Sequence, residues 1–191
     1  MRTSLLILCL LLSSHLAAQV ITFSLPEERT TSKLELPFTL NLLRLAQTGN
    51  DTLAIFDVKK NKAPLILMLG KQTVGSFSAL LKSNYQSAKL EPVFELYITQ
   101  LQLSHSPAEA VDSKDTFLFQ CEFRGQGPFA DTVFYTFSAN ARWGNYKHAE
   151  QVFTNYVRQA LLTAVEKFTF AYRENQGWNN IFNTIQKGFH M

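Results

Sequence analysis

The fold is decided by the stretch Thr116-Phe117-Leu118-Phe119-Gln120-Cys121-Glu122-Phe123-Arg124. Apolar side chains at the odd positions and polar ones at 120, 122 and 124 are typical of a strand with one buried face. A similar stretch precedes it, Val93–Leu103, and another follows it, Thr132–Trp143. Within Val93–Leu103 the alternation changes phase, which predicts a bulge. Three consecutive strands of this kind predict an antiparallel meander with one apolar face.

An apolar sheet face needs a cover, and residues 146–174 have the pattern of one. Their apolar side chains recur at helical spacing: Phe153, Val157, Ala160, Leu161, Ala164, Val165 and Phe168. We therefore predict an α+β fold with a mainly antiparallel sheet. In it, the three-stranded meander is covered on one face by a long C-terminal helix and a shorter helix.

The first half of the chain predicts further strands and one short helix. Leu34–Leu42 alternates, but its Pro37 cannot donate to a ladder, which places this strand at a sheet edge or a bulge. Leu53–Val58 predicts another strand, and the fully apolar Leu65–Leu69 predicts a short strand buried on both faces. A flexible turn then leads to Ser76, which we expect to cap an amphipathic helix.

The N-terminus has the pattern of an export signal. Arg2 precedes an unbroken apolar run, and the small residues Ala17 and Ala18 follow it. We predict cleavage after Ala18, so that 1–18 is a signal peptide and 19–191 is a single domain without a transmembrane segment. The predicted location is secreted, periplasmic or associated with the outer membrane. Cys121 is then the remaining cysteine, and we expect it to be a buried, inert thiol.

Charge is unevenly distributed along the chain, although its net value of +3 is too small to predict a nucleic-acid partner. Residues 58–90 contain lysines but no acid, whereas acids predominate in residues 91–122. We predict a surface for an anionic ligand or membrane formed by Lys59, Lys60, Lys62, Lys71 and Lys82. The alternative is a solvated face whose lysines pair with the acids of the following segment.

A second candidate surface lies at the C-terminus, where apolar residues again recur at helical spacing. They are Trp178, Ile181, Phe182, Ile185 and Phe189. This short amphipathic helix could pack on the core, dock a partner or lie on a membrane. The neighbouring polar residues contain few cations, which argues against the membrane.

Motifs for catalysis, metals or nucleotides do not emerge from the sequence. The histidines after the signal, at 105, 148 and 190, have no recognised spacing with a nucleophile or with other metal ligands. Gly70 and Gly75 have the separation of a phosphate loop, but Ser76 stands where that loop needs its lysine. We therefore predict no enzyme activity, no metal site and no cofactor.

The order of strand, amphipathic helix, meander and long helix resembles small bacterial periplasmic lipoproteins related to auxiliary subunits of ABC-type envelope transport. The resemblance covers residues 53–170. It is carried by residues 53–60, by Gly75 leading into Phe77–Tyr85, by Glu95–Leu101 and by the helix from 151 to 168. It implies a non-enzymatic envelope role. The chain departs from this pattern because it has no cysteine at the cleavage site that could carry a lipid.

The sequence thus predicts an exported, non-catalytic binding or assembly module of the bacterial cell envelope, with an envelope protein or a lipid as its partner. The alternative is a carrier that holds a small apolar ligand or lipid between the sheet and the long helix. A third hypothesis, an enzyme, has no motif to support it.

Overall fold

The structure is a computed structural model that describes residues 19–26, 32–46, 52–56, 65–69, 71–87, 92–104, 114–126, 130, 132–144 and 149–175. The strands of these residues are β1 (Gln19–Thr22), β2 (Leu34–Leu36), β3 (Thr39–Leu45), β4 (Thr52–Phe56), β5 (Leu65–Met68), β6 (Tyr85–Ser87), β7 (Val93–Ser104), β8 (Lys114–Gly125) and β9 (Val133–Gly144). The helices are α1 (Lys71–Asn84) and α2 (Ala149–Glu174). The fold is α+β, as predicted. The segments of residues 1–18 and 176–191, with the signal peptide and the C-terminal amphipathic residues, lie outside the described part.

The predicted meander is present as β7, β8 and β9, paired antiparallel in that order. A register shift between Ile98 and Gln100 moves the buried positions of β7 from even to odd numbers, which confirms the predicted phase slip. A second shift, at Phe123 and Arg124 of β8, lies opposite the start of β9. Alternation along residues 132–143 predicts Val133 on the apolar face together with Tyr135 and Phe137, but in the structure Val133 is exposed.

The prediction of a mainly antiparallel sheet is wrong, because the sheets are mixed. The strand orders are β1-β5-β4, β2-β6 and β3-β7-β8-β9. The pairs β1–β5, β2–β6 and β3–β7 are parallel, whereas β4–β5 and the two meander pairs are antiparallel. Parallel pairing needs a long crossover connection. The chain between β3 and β7, which contains α1, supplies one.

The strand predicted over residues 34–42 is divided at Pro37 into β2 and β3. Residues 37 and 38 leave the strand, and Phe38 becomes fully buried. β3 then continues to Leu45 at the edge of the four-stranded sheet, where the proline rule expected it.

The long helix α2 covers the meander as predicted. Its residues at positions 153, 157, 161, 164, 165 and 168 are fully buried. They meet the inward side chains of β7 and β8, and the ring of Phe168 is stacked on Phe123 at 4.1 Å between centroids. Within the described ranges, neither helix is long and apolar enough to cross a bilayer.

The helix α1 begins five residues before the predicted cap, at Lys71 rather than at Ser76. The Thr73 hydroxyl donates to the carbonyl of Phe23 at 2.7 Å. The Ser76 hydroxyl accepts from the backbone N–H of Leu25 at 3.0 Å and donates to the Thr73 carbonyl. These bonds hold α1 against residues 23–25, so the turn predicted from Gly75 is a helical turn instead.

The position of Gly75 within α1 yields a stability prediction. Gly75 is exposed, and a Cβ added there would meet nothing within 4 Å. We expect Gly75→Ala to raise the free energy of unfolding by about 0.5–1 kcal/mol, because alanine loses less backbone entropy in a helix. Urea unfolding measures the change, with Ala79→Gly in the same helix as the control of opposite sign. An unchanged midpoint for Gly75→Ala would contradict the assignment of residues 71–76 to the helix.

Candidate functional site

The candidate site is a groove of about 400 Å³ where α1, β3 and the β2–β6 pair meet, beside the end of β8. Three separate stretches of chain, residues 36–41, 78–87 and 126, provide its described lining. These lining residues are Leu36, Leu40, Asn41, Ser78, Leu81, Lys82, Tyr85, Ser87 and Gln126. We call this feature the α1 groove.

The floor of the α1 groove is apolar. Leu36 and Leu81 are buried and Leu40 is half-buried. The phenol of Tyr85, also buried, donates a hydrogen bond to the carbonyl of Leu162 in α2 at 3.1 Å. Burial, reinforced by the charge of Glu166, raises the pKa of Tyr85 above its ordinary value. Tyr85 is therefore a neutral side chain that ties the floor to α2.

The rim of the α1 groove is polar and is held by side-chain and backbone bonds. The Asn41 amide donates to the Gln126 side-chain carbonyl at 3.3 Å, which joins β3 to the residue after β8. The backbone N–H of Gln126 donates to the Val93 carbonyl at 3.2 Å. Ser78 and Ser87 add hydroxyl groups to the rim. The rim therefore offers uncharged hydrogen-bonding groups around an apolar floor.

Lys82 is the charged residue of the described lining. It lies in the last turn of α1 and is exposed. The Leu80 carbonyl near the end of this helix accepts from both Ser83 Oγ and Asn84 Nδ2, at 2.8 and 2.9 Å. The ammonium group of Lys82 stands at the rim, and no carboxylate of the described residues forms an ion pair with it.

The other lysines of the predicted anionic-ligand surface are not brought together by the described residues. Lys71 begins α1, about 16 Å along the helix axis from Lys82. Lys59, Lys60 and Lys62 lie outside the described residues, so their part of the surface stays a prediction. The docking residues Trp178, Ile181, Phe182, Ile185 and Phe189 also lie outside, and their role stays a prediction.

Acids that could have paired with those lysines are held by arginines on the outer face of the sheet. Arg44 of β3 pairs with Glu95 of β7, and Arg124 pairs with Glu122 at 2.7 Å. The Arg124 guanidinium also lies 4.0 Å from the centre of the Tyr97 ring. Among the described residues, Glu95 and Glu122 therefore pair with arginines of the sheet itself.

The side chains weighed for catalysis are three histidines and the thiol of Cys121. His105, His148 and His190 lie outside the described residues. Cys121 is fully buried in β8, as predicted, and burial together with the neighbouring Glu122 raises the pKa of its thiol to about 12. In the part of the chain that the structure describes, no group of three or more His, Cys, Asp or Glu side chains could hold a metal ion.

No protein-family profile and no curated protein matches the chain. Among solved structures, the chain is similar to a Xanthomonas campestris protein of family DUF330, with 6% identity and a TM-score of 0.44, over 85% of this chain and 99% of that one. It is also similar to a minor lipoprotein from Acinetobacter baumannii, with 10% identity and a TM-score of 0.35, over 52% and 81%. Both similarities are too low to identify a function.

Most residues of the α1 groove were missed by the sequence interpretation, which singled out Lys82 alone among them. The groove depends on the parallel pairing of β2 with β6, whose strands have three residues each. Such short strands have no readable period. One usable signal was Pro37, which marks the bend that separates Leu36 from Leu40.

Proposed function

We propose that this chain is an exported, non-catalytic binding module of the bacterial cell envelope, and that the α1 groove is its binding site. The observation that carries the proposal is the composition of the groove. Buried and half-buried leucines form a floor, and amides, hydroxyls and the ammonium group of Lys82 surround it. Concave sites that bind small molecules or peptide segments have this arrangement, with an apolar lining and a few placed polar groups.

The absence of catalysis is part of the proposal and rests on the state of the groove side chains. General acid–base chemistry needs a group that can exchange a proton near neutral pH. The raised pKa of Tyr85 keeps its phenol protonated, and that phenol is already bonded to the Leu162 carbonyl. The Asn41 and Gln126 amides are bonded to each other. Such groups support binding and orientation rather than proton transfer.

The location in the envelope is supported by the sequence. Residues 1–18 have the charged, apolar and small-residue order of an export signal. The resemblance over residues 53–170 extends the proposal to a role beside ABC-type envelope transport, as an auxiliary protein. Detection of Gln19 as the first residue of protein isolated from the envelope fraction would support export, and Met1 still attached would refute it.

A second candidate function is a carrier of a small apolar ligand or lipid. The volume of about 400 Å³ favours it, because it falls within the ~300–1,000 Å³ typical of small-molecule pockets. The α1 groove does not lie between the sheet and the long helix, where the sequence interpretation put the ligand. That interface is filled by aromatic rings, with Phe168 at 4.1 Å from Phe123 and 4.9 Å from Phe94.

The proposed site is tested by filling it. Ser78 and Ala79 are neighbours in α1, but Ser78 lines the groove whereas Ala79 is exposed outside its lining. We expect Ser78→Trp to reduce capture of envelope partners or copurifying lipid at least about tenfold, and Ala79→Trp to leave both unchanged. Quantitative mass spectrometry of the purified chain, before and after delipidation, measures both.

The two candidate functions give different results in this experiment. A lipid lost from Ser78→Trp would favour the carrier, whereas a protein partner lost from Ser78→Trp would favour the binding or assembly module. Equal capture by Ser78→Trp and Ala79→Trp would refute the groove as the site. Circular dichroism and urea unfolding of both variants check that each is folded.

A further inference from the structure

The α1 groove combines two chemically different ends. Its floor of Leu36, Leu40 and Leu81 offers apolar surface without a hydrogen-bonding group. Its rim carries the ammonium group of Lys82, and none of the other described lining residues is charged. A ligand that is polar throughout would not use the apolar floor, and one that is apolar throughout would not use the charge of the exposed lysine.

Lys82 lies in the last turn of α1, where a cation is favourable beside the helix C-terminus, but it has no carboxylate partner among the described residues. The Leu80 carbonyl at the end of α1 is satisfied by Ser83 and Asn84. Among the described residues, Arg44 and Arg124 form ion pairs on another face of the sheet. Lys82 therefore gives the described part of this groove a net positive charge, which an anionic ligand would complement.

We propose that the α1 groove takes a single-chain amphiphile with an anionic headgroup, such as a carboxylate. The hydrocarbon chain lies along Leu36, Leu40 and Leu81, and the headgroup pairs with Lys82. The rim amides of Asn41 and Gln126 are placed to orient the ligand. A volume of about 400 Å³ is near the lower end of the small-molecule range, which favours one chain over two. This inference rests on the proposed function, since it names the ligand class of the same groove.

Three probes of equal chain length separate the charge from the apolar contribution: dodecanoate, dodecanol and dodecyltrimethylammonium, each below its micelle concentration. Their affinities for the delipidated chain follow from displacement of a fluorescent apolar dye. We expect dodecanoate to bind about two- to fivefold more tightly than dodecanol, the range for an exposed ion pair, and the cationic probe to bind most weakly.

The matched variants are Lys82→Gln and Lys167→Gln. Lys167 is also an exposed helical lysine, but it belongs to α2 and does not line the groove. We expect Lys82→Gln to abolish the preference for dodecanoate over dodecanol, and Lys167→Gln to retain it. Raising the salt concentration should reduce the preference in the unmodified chain, because exposed charges are screened.

Other outcomes overturn the inference in distinguishable ways. Equal affinity for dodecanoate and dodecanol would refute the anionic headgroup and leave the groove as an apolar binding site. Binding of none of the three probes would refute the amphiphile, while the comparison of Ser78→Trp with Ala79→Trp still decides the proposed function. Cosedimentation with phosphatidylglycerol vesicles that depends on Lys82, with no such dependence for dodecanoate, would assign the lysine to a membrane surface instead.

Discussion

Replacement of Phe168 by alanine is expected to lower the free energy of unfolding by about 3–5 kcal/mol. Phe168 of α2 is fully buried where the helix meets the sheet. Its ring is stacked on Phe123 at 4.1 Å and lies 4.9 Å from the rings of both Phe38 and Phe94. The substitution removes hydrophobic surface and leaves a cavity among rings that belong to β7, to β8 and to the bend at Pro37.

Phe170 provides the matched control, since it lies in the same helix and is 61% exposed. We expect Phe170→Ala to change the free energy of unfolding by no more than about 0.5 kcal/mol, the range for exposed positions. Urea unfolding followed by circular dichroism compares the two variants. Equal losses would mean that α2 does not lie on the sheet with Phe168 inward.

The meander and its covering helix could be predicted because each has a local period. Alternation in residues 116–124 and helical spacing in residues 153–168 both persist for several repeats. The side chains that this spacing selects are the ones that the structure buries. Even the slip of phase in β7 was visible, since the bulge after Ile98 changes the parity of the apolar residues within one strand.

The parallel pairings could not be predicted, because nothing local in a short strand identifies its partner. β3 pairs with β7 across an intervening stretch that holds α1 and three strands. The sequence therefore predicted an antiparallel sheet by extending the pattern of the meander to strands that do not share it. The α1 groove, which the β2–β6 pair helps to line, was missed for the same reason.

The start of α1 shows tertiary contacts overriding local preference. Thr73, Val74 and Gly75 are weak helix formers, so the sequence favoured a turn before Ser76. In the structure, the Thr73 hydroxyl is fully buried and bonded to the Phe23 carbonyl, 50 residues away. Burial of Phe77 on the same helix adds a ring contact with Phe23 at 6.1 Å. These long-range interactions outweigh a small difference in propensity.

Cys121 carries the second large prediction, which concerns the reactivity of its thiol. Burial first, and the adjacent Glu122 charge second, raise its pKa to about 12. Because the thiolate is the reactive form, its fraction at about pH 8 falls by roughly three orders of magnitude relative to an ordinary thiol with a pKa of about 8.5. We expect a Cys9→Ser chain to react with a disulfide reagent at least about a thousandfold more slowly when native than in urea. A fast native reaction would contradict the inward position of Cys121 in β8.

The same thiol makes the stability of the protein depend on alkaline pH. A folded-state pKa above the unfolded value contributes stability that is present below about pH 8.5 and is lost as pH rises toward about 12, since the unfolded chain releases its proton first. Between about pH 8 and about pH 9.5 we expect the free energy of unfolding to fall by about 1 kcal/mol.

Cys121→Val should remove this slope while keeping an apolar side chain in the core. Tyr85 and Tyr172, whose pKa values are also raised by burial, lose their contributions only above about pH 10, so the lower window isolates the thiol. A slope that persists in Cys121→Val would have to come from another group, and the buried, protonated thiol would then not be its cause.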